Sequence, residues 1–144
     1  MGQEVFMKVK EVMTYGVETV SPEETLEQAA KKMRLHAVGF LPVVDEGKLV
    51  GVVTDRDIVL RAVAEGLRPY MSRVCVVMTP KVLSCYEDEG ITQASLVMER
   101  NLVRRLVVLD RSENLVGVVS LDDFAAKMRN ESLAGYVLSK VTAA

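Results

Sequence analysis

An internal repeat constrains this chain more than any other feature. Val12-Met13-Thr14 returns as Val77-Met78-Thr79, 65 positions on. Leu49-Val50-Gly51-Val52-Val53 returns unchanged as Leu115-Val116-Gly117-Val118-Val119, 66 positions on. Between these anchors Gln28-Ala29 matches Gln93-Ala94, Met33 matches Met98 and Asp45 matches Asp110. The slip from 65 to 66 needs one inserted residue, in the polar turn after the aspartate. A unit this long holds a strand, a helix, a hairpin and a second helix, so it is a domain-sized repeat rather than a solenoid unit. Two such units in one chain imply a pseudo-twofold body with two equivalent clefts.

Each copy reads in the same order. Val17 to Val20 is β-prone. Ser21 or Thr25 then starts a helix: both Ser21 with Glu24 and Thr25 with Gln28 have capping-box spacing, and the sequence leaves the choice open. Leu26, Ala29, Ala30 and Met33 follow at i, i+3, i+4, i+7, an amphipathic stripe. Phe40 to Val44 is a strand, Asp45-Glu46-Gly47 a turn, and Leu49 to Val53 its hairpin partner. Thr54 opens a second helix with Ile58, Val59, Ala62 and Val63 as its apolar face. In the second copy Val82 to Cys85 is the strand. Ile91, Ala94, Ser95 and Met98 mark the helix, Leu106–Leu109 and Leu115–Val119 the hairpin, and Ser120 opens the last helix. The strand runs are mostly apolar, which predicts sheets buried on both faces.

Composition closes off several function classes. Net charge is −2, giving no electrostatic reason to expect nucleic acid or an anionic membrane surface. Apolar runs reach about five residues, as at Val74 to Met78, against the ~20 that span a bilayer. The N-terminus lacks a basic-then-apolar leader pattern, so a cytoplasmic location is expected. Cys75 and Cys85 do not form a disulfide framework. One histidine and no Cys-x-x-Cys argue against zinc. Neither a nucleophile–base order nor a paired acid and base stands out, so no catalytic residue is assigned and an enzyme is not expected. No obligatory cofactor is implied.

The β-α-β-β-α order, with each hairpin ending in Gly-h-h-Thr/Ser-x-x-Asp (h apolar), resembles the CBS domain. The motif stands as Gly51-Val52-Val53-Thr54-Asp55-Arg56-Asp57 and as Gly117-Val118-Val119-Ser120-Leu121-Asp122-Asp123. The Val-Met-Thr opening and the Leu41-Pro42-Val43-Val44-Asp45 strand belong to the same resemblance; the second copy, Leu106 to Asp110, lacks the proline. It implies an α+β fold of two tandem CBS repeats packed about a pseudo-twofold axis, often called a Bateman module. The expected division is repeat 1 over 9–66, a linker over 67–74, repeat 2 over 75–130 and a C-terminal helix or tail over 131–144. The resemblance further implies a regulatory module binding an adenosine-containing ligand such as AMP, ADP or ATP in the inter-repeat cleft and signalling to another protein. S-adenosylmethionine or NAD sensing, and a homodimeric scaffold with vestigial clefts, are the alternatives.

Specific residues follow. Thr54 with Asp57, and Ser120 with Asp123, have the spacing of a capping box; spacing alone favours that reading. A carboxylate also offers two acceptor oxygens to a vicinal diol, and the resemblance assigns Asp57 and Asp123 to ribose. Arg104 and Arg105, just before an apolar strand, suit phosphate, as does Arg56. Their counterparts in the first repeat are Gly39 and Phe40, so one cleft lacks these cations; across a pseudo-dyad the arginines would serve the Asp57 cleft. Adenine is expected near Val17, Val20, Val82 and Cys85. Met33 and Met98 suit an isologous homodimer contact.

Overall fold

The computed structural model describes residues 7–128 and 137–141. Most of the tail expected over 131–144 therefore lies outside the described residues; 137–141 are helical. In chain order the elements are a 3₁₀ turn Val9–Glu11, β1 (Thr14–Tyr15), α1 (Leu26–His36), β2 (Phe40–Asp45) and β3 (Lys48–Thr54). Next come α2 (Asp55–Ile58), which runs on as a π turn Val59–Val63, and α3 (Val74–Val77). The series closes with β4 (Ser84–Tyr86), α4 (Ile91–Asn101), β5 (Arg105–Leu109), β6 (Leu115–Ser120) and α5 (Leu121–Met128).

These elements gather into two units that cut across the sequence repeat. One is contiguous, Val17–Val82; the other is split, joining the segment that ends at Gly16 to the segment that begins at Leu83. The split unit holds a four-stranded sheet in the order β1-β6-β5-β4, with β4 parallel to β5 and the other pairs antiparallel. The contiguous unit holds the β2–β3 hairpin, flanked by single bridges: Val20 runs parallel to Val43, and Thr79 antiparallel to Val52. The order is the same, with the outer strands reduced to one residue each.

The Val-Met-Thr segments therefore do not pack on the repeats they open. Thr14 pairs with Val118 in the split unit. Thr79 exchanges both backbone hydrogen bonds with Val52 in the contiguous unit, at 2.8 and 2.9 Å. The motif glycines make room for this. A Cβ on Gly117 would lie 2.3 Å from the Thr14 carbonyl oxygen, and one on Gly51 would lie 2.8 Å from that of Thr79. Val9, Val12 and Met13 join the split unit's core, as Val74 and Val77 join that of the contiguous unit.

Local signals account for the helix starts. Thr25 is the N-cap of α1 in a reciprocal box with Gln28. Ser21 and Glu24 make their own bonds one turn earlier, where Glu24 Oε2 accepts the Ser21 N–H at 2.7 Å. Only the acid half of the Ser21–Glu24 box forms, since Ser21 Oγ accepts the Glu23 N–H at 3.1 Å instead, and Thr25 starts the helix. The first hairpin turns through Glu46 and Gly47, both at positive φ, as a two-residue hairpin of the primed type requires. The second is one residue longer and is organised by Asp110, which accepts the N–H groups of Ser112 and Asn114. Those bonds hold the Asp110 carboxyl below its ordinary pKa.

Several expectations need correction. The first strand shrinks to Val20, and the second is Ser84–Tyr86 rather than Val82 to Cys85. Ala30 is exposed; only Leu26, Ala29 and Met33 of its stripe are buried. On the second helix Ile58 and Ala62 are buried, but Val59 and Val63 are 54% and 58% exposed. Burial on both faces holds for β5 over Leu106–Leu109, whereas β3 and β6 alternate. Met33 and Met98 are buried in the cores of their own units, so their side chains are not available for an isologous surface.

Candidate functional site

Each hairpin delivers its chain into a helix through a capped turn. At Thr54 the backbone is still extended, φ −118° and ψ 163°. Thr54 Oγ1 accepts the Asp57 N–H at 3.1 Å, and Asp57 Oδ2 accepts the Thr54 N–H at 2.9 Å. Ser120 and Asp123 repeat this at 3.2 and 2.9 Å. The capping reading is therefore correct in both units. It does not use up the carboxylates, because an ionised carboxyl offers about four lone-pair sites and each cap bond occupies one. Both aspartates are part-buried, so their orientation is fixed while an edge stays accessible.

Beside the Ser120 cap lies a cavity of about 150 Å³, lined by Arg104, Arg105, Ser120, Leu121 and Asp122. The Leu121 N–H donates to the Arg104 carbonyl at 3.2 Å, which ties the residue before β5 to the start of α5. A drug-sized site typically occupies ~300–1,000 Å³, so this hollow suits one polar group of a ligand, such as phosphate or ribose. Its two arginines are exposed and can present guanidinium forks to an anion.

The contiguous unit builds the same corner differently. The Asp55 N–H donates to the Gly39 carbonyl at 3.0 Å, matching Leu121 with Arg104. The Asp55 side chain then folds over Gly39: its Oδ2 lies 2.7 Å from where a Cβ on that glycine would sit. Asp55 Oδ1 also accepts the Arg56 N–H at 2.8 Å. Arg56 is exposed in the first turn. No side chain fits at position 39 without moving Asp55.

The structure thus brings Thr54 to Asp57, Ser120 to Asp123, and Arg104 with Arg105 to Ser120 of their own unit. Val20 and Cys85 are core residues, 1% and 4% exposed, and both are held in their sheets: the Val20 N–H donates to the Pro42 carbonyl and its carbonyl accepts the Val44 N–H, while Cys85 pairs with Val108. Burial, with some help from Glu89, pushes the Cys85 thiol from 9.0 up to about 12. Val17 and Val82 are half-buried. Sequence reasoning did not single out Asp55, Leu121, Asp122 or Arg61. Aligning the two copies holds a signal for the first two, since Gly39 opposite Arg104 is accompanied by Asp55 opposite Leu121. Among the described residues no group of three or more His, Cys, Asp or Glu side chains could hold a metal ion, and no helix is long and apolar enough to cross a membrane.

Two units with one strand order, each closing a hairpin on a capped helix that carries a part-buried aspartate, define a tandem module of paired α/β domains. The chain belongs to the CBS domain family, which matches it over residues 9–64 and again over 72–130. It is 40% identical over 134 residues to the CBS domain-containing protein YhcV of Bacillus subtilis (strain 168), covering 93% of this chain and 94% of that one. The CBS domain pair of protein MJ0100, solved in complex with 5′-methylthioadenosine and S-adenosyl-L-methionine, superimposes with a TM-score of 0.76. That match has 28% identity and covers 88% of this chain and 98% of that one. Hypoxic Response Protein I, solved with two coordinated zinc ions, gives a TM-score of 0.75 at 35% identity over 83% of this chain and 98% of that one.

Proposed function

We propose that this CBS pair is a regulatory module that binds an adenosine-containing ligand of the AMP, ADP or ATP type and passes its occupancy to a partner protein. One observation carries the reading. The same part-buried carboxylate, fixed by the same reciprocal cap, starts the second helix in both units. In this reading Asp57 and Asp123 accept ribose hydroxyls, and Thr54 and Ser120 hold them in place. Arg104, Arg105 and Arg56 meet phosphate. Val17 and Val82 flank the adenine, backed by the core positions Val20 and Cys85. The ligands of the MJ0100 pair, both adenosine derivatives, support this class. The module is a sensor rather than an enzyme.

A thermal-shift panel of adenosine, AMP, ADP, ATP, 5′-methylthioadenosine, S-adenosylmethionine and NAD tests it. A ligand that binds only the folded state must raise Tm, by about 2.7 kcal/mol of stability at a hundred times Kd. At least one compound is expected to do so, and Asp57→Ala or Asp123→Ala should weaken it by about 1.5–3 kcal/mol, as for hydrogen bonds to a charged group.

A flat panel would favour the scaffold reading, which has an observation of its own. Val59, Leu60 and Val63 form an apolar strip that is 54%, 47% and 58% exposed. Burying such a strip drives association, and a homodimer is part of the proposal under either reading. Light scattering at micromolar concentration should show a species at twice 15.9 kDa; a lone 15.9 kDa species would refute the dimer.

A further inference from the structure

Arg61 follows Asp57 by one turn in the contiguous unit and reaches two places at once. Its Nη1 donates to the Val77 carbonyl at 3.1 Å and lies 3.4 Å from Thr79 Oγ1. Its Nε stands 3.9 Å from Asp57 Oδ1, beyond hydrogen-bond range but well inside the reach of charge. Asp57 Oδ2 already holds the Thr54 N–H. Oδ1, which makes no cap bond and faces Arg61, is the oxygen with both acceptor sites open to a ligand hydroxyl.

Two features suit Arg61 to this double contact. It sits in the π turn Val59–Val63, where the Ala64 N–H reaches back five residues to the Val59 carbonyl at 2.9 Å; π turns inside helices recur at functional sites. It is also an arginine, whose planar fork serves two directions, unlike the compact charge of a lysine. The far end of the bridge is anchored in the sheet. Thr79 exchanges both backbone bonds with Val52, two residues before the Thr54 cap.

We propose that Arg61 is a positioning residue that couples the Asp57 site to the segment Val77–Thr79. The inference rests on the ribose reading of Asp57. A hydroxyl bound to Oδ1 fixes that carboxylate opposite the guanidinium. This favours the arrangement in which Arg61 also holds Val77 and Thr79. Coupling is reciprocal, so releasing the bridge must weaken the ligand.

The test uses the full chain, AMP and adenosine as probes, titration calorimetry, and amide hydrogen exchange at Thr79 and Val52. Without ligand, Arg61→Ala should speed exchange at Thr79 and Val52 and leave Thr14 and Val118, the matching pair of the split unit, unchanged. AMP should slow Thr79 exchange in the wild type but not in Arg61→Ala, whose affinity should fall by at least ~5-fold, the low end of coupled sites. Arg61→Lys should recover part of the affinity, and Thr79→Val should lose less than Arg61→Ala in the same direction. If Arg61→Ala binds AMP as the wild type does while Asp57→Ala does not, the coupling is wrong and the ribose reading stands. If the wild type takes neither probe, or Asp57→Ala changes nothing, the ribose reading fails and takes the coupling with it. Should Arg61→Ala not fold, Thr79→Val decides: wild-type affinity together with wild-type ligand protection overturns the proposal.

Discussion

The contiguous and split units share strand order, cap and motif, yet they finish the same corner with opposite chemistry. In one, Asp55 lies over Gly39 and caps a neighbouring N–H. In the other, the residue at the start of the helix is Leu121, almost wholly buried, and Arg104 stands where the glycine was. The two changes belong together. An outward acid on the helix leaves no room before the strand, whereas an inward leucine frees that room for a cation. Paired substitutions at this corner set its charge without disturbing the frame, so two copies of one fold can present different surfaces.

The largest test of the comparison concerns the frame itself. The split unit packs its Val-Met-Thr segment more tightly than the contiguous one, with a 2.3 Å against a 2.8 Å approach at the motif glycine. Gly117→Ala should therefore destabilise by about 3 kcal/mol and Gly51→Ala by about 1–2, within the range for overpacking. Urea titration measures both, and equal losses would show that the two segments sit equally loosely.

The corners come next. Arg104→Ala combined with Arg105→Ala should weaken AMP about tenfold more than adenosine, the equivalent of roughly one charge-assisted hydrogen bond. The gap should narrow in high salt. Asp123→Ala should then abolish the preference for AMP over adenosine, because these arginines lie beside Ser120. If Asp57→Ala abolishes it instead, the sequence expectation that they serve the Asp57 cleft holds.

The smallest difference at neutral pH separates the cysteines. Cys75 is exposed and Cys85 buried, so one thiol should react with a disulfide reagent in the native protein and the second only on unfolding. The sign of the pH effect follows. An unfolded chain loses the Cys85 proton from about pH 9, while the folded chain keeps it to about 12. Stability should fall as pH rises through that window, and Cys85→Ala should remove this part of the fall.

What the sequence revealed was local. Helices, hairpins and the reciprocal Thr54–Asp57 and Ser120–Asp123 boxes depend on neighbours three or four residues apart, and periodicity reports these. The repeat itself reported the doubling. The exposure of Val59 and Val63 was not legible, because the buried stripe of that short helix narrows to Ile58 and Ala62. Nor was the Asp55–Gly39 contact, which needs coordinates even though the paired substitutions hint at it. Least legible was the partner of each Val-Met-Thr segment. Identical triplets carry no label for which glycine they cross, and pairing Thr14 with Val118 spans most of the chain.

That exchange has a consequence for how the chain is made. Domains generally fold from the N-terminus as they leave the ribosome. Every part of the contiguous unit has been synthesised by Val82, but β1 of the split unit is made early and its partner β6 late. Through most of translation residues 9–15 have no native place to go. The slot beside Gly51 forms before its own occupant, residues 77–79, has emerged, and the waiting segment bears the same three side chains. The order of synthesis thus places a segment with the same three side chains ahead of Val77–Thr79, so the chain must distinguish the two triplets by what surrounds them rather than by the triplets themselves.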